Sequence, residues 1–227
     1  MRSTISSSPH SAKFKFLSSR EGFKTVEKSN RFERGIEEPK RYMSTLATTA
    51  RNNHFCELIL NEETHRQVIE SLIPKAEKFV WIVTADIKDM HVKRGRKYVP
   101  FLEVLSQLVA EGVAVRLFHA KEPGPRFKQD FDRQRRLIES DLFERLLCPR
   151  IHTKAVIVDG HTAYVGSANL TGAGMGAKSV HRRNFEAGFL TNMPEHVLPL
   201  MDFVDELYLG LPCQKCQRRD QCPDPIA

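Results

Sequence analysis

Residues 151–169, I-H-T-K-A-V-I-V-D-G-H-T-A-Y-V-G-S-A-N, constrain this chain more than any other stretch. The apolar run Ala155 to Val158 stops at Asp159-Gly160, a pair suited to a tight turn, and Thr162 to Gly166 follows as a second run. The pattern predicts two strands joined by a hairpin. Side chains alternate along a strand, so His152 and Lys154 point to one face, two residues apart. The hairpin then returns Ser167 and Asn169 toward the same end of the sheet. Six residue types fall at fixed offsets in H-x-K-x4-D and G-S-x-N, which lifts the stretch well above chance.

Those residue types suit a phosphodiester, whose negative charge repels nucleophiles. A catalyst needs cations and hydrogen-bond donors around the non-bridging oxygens, together with a nucleophile and a proton donor. His152 offers an imidazole nitrogen and Lys154 a positive charge. Ser167 can donate one hydrogen and Asn169 two. Further on, Asn184 to Leu190 reads as another strand carrying Glu186, a candidate to hold the His152 imidazole in the useful tautomer.

Together His152, Lys154, Asp159, Gly166, Ser167 and Asn169 resemble the HKD signature of the phospholipase D superfamily, and Glu186 sits where single-motif members carry a downstream glutamate. The resemblance implies an α/β fold, a phospholipase D-like mixed β-sheet flanked by helices on both faces. It implies attack by His152 on phosphorus to give a phosphohistidine, a second histidine protonating the leaving oxygen, and no cofactor for catalysis. Asp159 belongs to the superfamily's catalytic pattern, but its place beside Gly160 also suits a turn, and a structural role is the expectation. No second motif is present: His91-Val92-Lys93 lacks the aspartate and the G-S-x-N and reads as a basic loop. The resemblance therefore implies a homodimer in which each chain supplies one histidine. His181 is the nearest substitute in sequence if one chain carries a complete site.

Three regions are expected. Residues 1–54 form a basic, Ser- and Arg-rich extension read as disordered, residues 55–210 the catalytic domain, and residues 211–227 a cysteine-rich tail. Within the domain the pattern predicts strands at Phe55–Leu60, Phe79–Thr84 and Val113–Phe118. Helices are predicted at Glu63–Lys78, Val99–Glu111, Gln129–Leu147 and His196–Leu209. Strands alternating with helices in this way imply a mixed sheet covered on both faces.

The formal charge of the whole chain is +7, and +6 of it lies in residues 1–54, where 11 Lys/Arg face 5 Asp/Glu. The domain itself is nearly neutral, so composition alone is a weak argument for nucleic acid. Local clusters remain. Lys93, Arg94, Arg96 and Lys97 form one, Arg133, Arg135 and Arg136 another, and Lys178, Arg182 and Arg183 a third, expected to contact substrate phosphate. The expected substrate is nucleic acid, with a phospholipid such as cardiolipin as the rival and a phosphate-holding, nucleic-acid-binding scaffold as the non-enzymatic reading. No apolar run reaches the about 18 residues of a membrane span and no apolar leader follows the start, so the cytoplasm is the expected compartment. An acid-poor, Arg- and Ser-rich start also fits an organelle transit peptide, and Met43 as the true start is a third reading.

Cys213-x2-Cys216-x5-Cys222 is the second feature above background. Closely spaced cysteines in a cytosolic protein point to a metal rather than to disulfides. A structural zinc ion is expected, with Cys148 as the fourth ligand and Cys56 as its substitute. Zinc is preferred to an iron–sulfur cluster because neither common ferredoxin spacing is present. Free thiols on a frayed tail are the alternative.

Overall fold

The computed structural model describes residues 53–226 apart from Asp89; the extension read from the sequence lies almost entirely outside the described residues. Among the described residues nine strands form a seven-stranded sheet, in the order β1-β9-β8-β7-β2-β5-β6, and a separate hairpin, β3-β4. The strands are β1 (Cys56–Leu60), β2 (Phe79–Thr84), β3 (His91–Arg94), β4 (Lys97–Pro100), β5 (Ala114–His119), β6 (Phe143–Leu147), β7 (Ala155–Val158), β8 (Thr162–Gly166) and β9 (Ala187–Thr191). β2, β5 and β6 run parallel, and β7, β8, β9 and β1 continue the sheet antiparallel from the other side of β2. The sheet is mixed, as expected.

Five α-helices among the described residues accompany it: α1 (Glu62–Thr64), α2 (Phe101–Ala110), α3 (Pro125–Asp132), α4 (Arg135–Glu139) and α5 (Pro194–Tyr208). The central strands are apolar at nearly every position, because both faces are covered. On one face Trp81, Val83, Phe118, Ile157 and Ala163 pack with Val197 and Val204 of α5. Val80, Ile82, Val115, Leu117 and Val156 alternate with these residues and are also buried. Leu102, Leu105 and Leu108 of α2, with Val68 and Ile69 of a π-helix (His65–Leu72), supply further buried apolar surface. Arg116 of β5 lies 3.7 Å from the Tyr208 ring and 4.8 Å from the Trp81 ring, and its guanidinium donates to Glu144 (2.8 Å) and Asp205 (3.1 Å). One cation thus ties β5 to β6 and α5.

The structure corrects several expected elements. The helix expected at Gln129–Leu147 is two short helices, α3 and α4, followed by strand β6. Ser140 Oγ accepts the Leu142 N–H (3.1 Å) where the helical path ends, and Phe143–Leu147 pairs with β5 instead. The helix expected at Glu63–Lys78 is one α turn, the π-helix, and a 3-10 turn over Ile73–Lys75 that absorbs Pro74. The basic loop around His91 is the β3-β4 hairpin, turning at Gly95 with φ of 60°. The strand expected at Asn184 to Leu190 begins three residues later, at Ala187, so Glu186 stands at its mouth.

Candidate active site

β7, β8 and β9 alternate in direction, so the start of β7, the end of β8 and the start of β9 share one end of the sheet. This end carries His152 and Lys154 before β7, Ser167 and Asn169 after β8, and Glu186 before β9. β2 runs antiparallel to β7 and brings Thr84 and Asp86 to the same place. His152 is exposed while Lys154 is buried. The Lys154 ammonium donates to the His152 carbonyl (2.6 Å) and lies 3.2 Å from His152 Nδ1. A buried cation therefore sits against an open imidazole.

Asn169 is fixed by its oxygen: Oδ1 accepts the Asp86 N–H (3.1 Å). Thr84 Oγ1 accepts the Leu170 N–H (2.9 Å) and donates to the Asp86 carbonyl (2.8 Å), locking the loop. Thr84 and Asp86 went unnoticed in the sequence, because nothing local marks them as partners of a residue more than eighty positions away. Gly166 is required by crowding. A Cβ there would overlap the Tyr164 phenol and stand 2.7 Å from the Ala187 carbonyl oxygen.

The expected role of Glu186 is corrected. The carboxylate of Glu186 is engaged by the Ser167 hydroxyl and by Asn184 Nδ2 (3.0 Å), not by the His152 ring. Asn61, which the sequence did not single out, holds the Glu186 backbone through Oδ1 (3.1 Å) and its own N–H (2.9 Å). Asp159 lies at the opposite end of β7 from His152, so the aspartate of the motif does not join the site. It has φ of 53°, and its carboxylate accepts the N–H groups of Glu77 (2.9 Å), Lys78 (2.7 Å) and Phe79 (2.9 Å), fixing the entry to β2. Burial pushes its pKa up, but the three N–H donors together outweigh this and hold the carboxyl below its usual value.

Of the third basic cluster, Lys178 and Arg182 are exposed, whereas Arg183 is mostly covered and pairs with Glu62 (2.9 Å). His181 is exposed on the same segment.

A family model described as cardiolipin synthase, PLD-like domain, matches residues 69–207, more than half of the chain. The chain belongs to the phospholipase D superfamily. No curated protein sequence matches it significantly. Among solved structures, the phospholipase D-like fold is similar to that of NucT from Helicobacter pylori, with a TM-score of 0.51 and 16% identity over 67% of this chain and 94% of that one. It is also similar to Nuc from Salmonella typhimurium, a phospholipase D family member, with a TM-score of 0.50 and 16% identity over 67% of this chain and 93% of that one. At such identity the likeness concerns the fold, and it agrees with the mixed sheet and flanking helices described above.

Beside this phospholipase D-like sheet lies a cavity of about 220 Å³ whose wall includes Cys148, Cys213, Cys216 and Cys222. All four are half-buried free thiols, while Cys56 is exposed. Among the described residues no three His, Cys, Asp or Glu side chains gather as ligands of a metal ion. Burial pushes the Cys222 thiol up, and nearby Cys148 and Cys213 push it the same way. No helix among the described residues is long and apolar enough to cross a membrane.

Proposed function

We propose that this chain is a phosphodiesterase that cleaves nucleic acid through a phosphohistidine on His152. The observation that carries the reading is the arrangement at one end of the sheet: an open imidazole against the buried Lys154 ammonium, with Asn169 held by its oxygen. Its amide hydrogens are left for a non-bridging phosphate oxygen. In this reading His152 Nε2 forms the bond to phosphorus as the bond to the leaving oxygen breaks. A second histidine delivers the proton that oxygen needs. Water then attacks phosphorus, giving up its proton to that histidine, and His152 is released. The Ser167 hydroxyl gives its one hydrogen to the Glu186 carboxylate and so holds that side chain at the mouth of β9 beside the phosphate site. Lys178 and Arg182 provide exposed charge on the segment joining Asn169 to Glu186. The chemistry requires no metal ion.

The second histidine comes from a second copy of the chain. A row of exposed apolar side chains supports the pairing. Leu58 stands opposite Phe189, and Phe189 opposite Val165, so the row crosses β1, β9 and β8 beside the motif hairpin. Such a row on a sheet face marks an interaction surface.

One observation favours phospholipid as a second reading. Phe185, adjacent to Glu186, is 93% exposed, and Val180 on the same segment is 57% exposed. The sequence had given no reason to expect an exposed aromatic here. A ring in that position can stack on a base, which fits the leading reading, or enter a lipid surface. Purified protein incubated in EDTA with labelled DNA, RNA and cardiolipin vesicles separates the readings. Cleavage of nucleic acid that is absent in His152→Ala is expected. Cleavage of cardiolipin alone would establish the second reading, and cleavage of none, with nucleic acid still bound, would leave a scaffold.

A further inference from the structure

The cysteine tail stands outside the chemistry proposed for His152, and it is tied down at definite points. The Asp224 carboxylate accepts the Leu147 N–H at 2.9 Å, and the Cys222 thiol lies 3.9 Å from the Leu147 carbonyl oxygen. Arg219 donates to the carbonyls of Cys213 and Ile226, both at 3.2 Å. Ile226 packs against Gly210, where the chain turns with φ of 71° and where a Cβ would stand 2.6 Å from Ile226 Cβ. These contacts curl the tail back onto the end of β6, so that three tail cysteines meet Cys148 around one cavity. The rest of its wall is largely apolar, with Leu146, Ile151, Phe203 and Leu207, and its charged members are Arg150, Arg218, Arg219 and Asp224, a net positive set.

A single tetrahedral ion, with metal–sulfur bonds of about 2.3 Å, draws its thiolates to within about 4 Å of one another. The thiols here are not gathered in that way. They are distributed over the wall of a cavity that has room for a larger group, one in which each sulfur binds a different metal atom. We propose that Cys148, Cys213, Cys216 and Cys222 hold a cluster of four irons and four sulfides in this cavity. Four cysteine thiolates are the ligand set of such clusters, and their low-polarity surroundings keep water from the sulfides. The three arginines offset the negative charge that four thiolates bring. Cys213 and Cys222 lie at or beside two short 3-10 turns, and Cys216 lies between those turns, so small rotations of the chain can settle each sulfur on its iron. The cluster is structural in this proposal: it fastens the tail to residues 148–151, directly before His152.

The test uses the full chain, purified without air, before and after reconstitution with equal amounts of ferric and ferrous iron and with sulfide. Iron, zinc and acid-labile sulfide are quantified, and the visible spectrum is recorded with and without dithionite. About four irons and four sulfides per chain are expected, with a brown colour that dithionite bleaches. Cys148→Ser and Cys216→Ser should each lose most of the iron, whereas Cys56→Ser, whose thiol lies away from the cavity, should retain it. One zinc per chain without sulfide overturns the proposal. So does wild-type protein that stays colourless after reconstitution, and this result for the wild type decides the matter even if a serine variant fails to fold. Metal and sulfide content does not depend on phosphodiester cleavage, so either proposal can fail while the other stands.

Discussion

Asn169 turns one end of its amide to the protein and the other to the proposed phosphate, and the two functions can be separated. Asn169→Asp keeps the acceptor for the Asp86 N–H but removes the donors. Its melting temperature should stay near that of the wild type while turnover falls about 10- to 1,000-fold, as expected for a lost donor to developing charge. His152→Ala should abolish turnover with the fold intact, since the buried run Ala155–Val158 holds the strand. Asp159 should behave in the opposite way. Asp159→Ala removes the acceptor of three backbone N–H groups and should cost about 1–3 kcal/mol in a denaturant titration. The folded fraction should turn over normally, because Asp159 lies at the far end of β7.

At the scale of elements, the β5-β6 pair has a pH sensitivity of its own. His119 is fully buried, with Nδ1 against the Lys121 carbonyl (2.8 Å) and Nε2 accepting from Arg145 (2.7 Å). Burial first, and the Arg145 charge second, push its pKa down to about 4 from 6.5. Between those values the unfolded chain takes up a proton that the folded one refuses, so stability falls as pH drops from about 6.5 to 4. The loss approaches about 3 kcal/mol, because each pH step of one between the two values costs about 1.4 kcal/mol. Asp159, whose pKa is also depressed, adds a further loss below its ordinary value of 3.8. Denaturant titrations across this range should show the slope, and His119→Asn should remove its upper part. The same pair explains what could and could not be read in advance. The motif hairpin was legible because its strands, turn and partners are contiguous. β6 was not, because Glu144 and Arg145 look like the polar face of a helix until Arg116 and His119 of β5 are seen to receive them. Glu186 was placed correctly near β9 but given the wrong partner, since its bond to Ser167 depends on the exact start of that strand. The cysteine spacing announced a ligand set, but only the fold shows that the thiols surround a cavity.

For the whole molecule, the proposed mechanism, with one motif per chain and two histidines per turnover, would make activity a property of pairs. Mixing equal amounts of wild-type and His152→Ala chains and allowing exchange should leave about one quarter of the dimers with two histidines, and activity per total dimer should fall to about a quarter. A fall to one half would place a complete site in each chain and return attention to His181. The sheet that brings these residues together also sets an order of assembly. Among the described strands β1 is made first but sits at the sheet's edge, where its one strand partner among the described residues is β9, with Cys56 opposite Thr191. At about 5–20 residues per second, the ribosome leaves Cys-Glu-Leu-Ile-Leu unpaired for on the order of ten seconds. An apolar strand without a partner is a template for wrong pairing. Ile59, sealed in the finished protein, lies open to water through that interval.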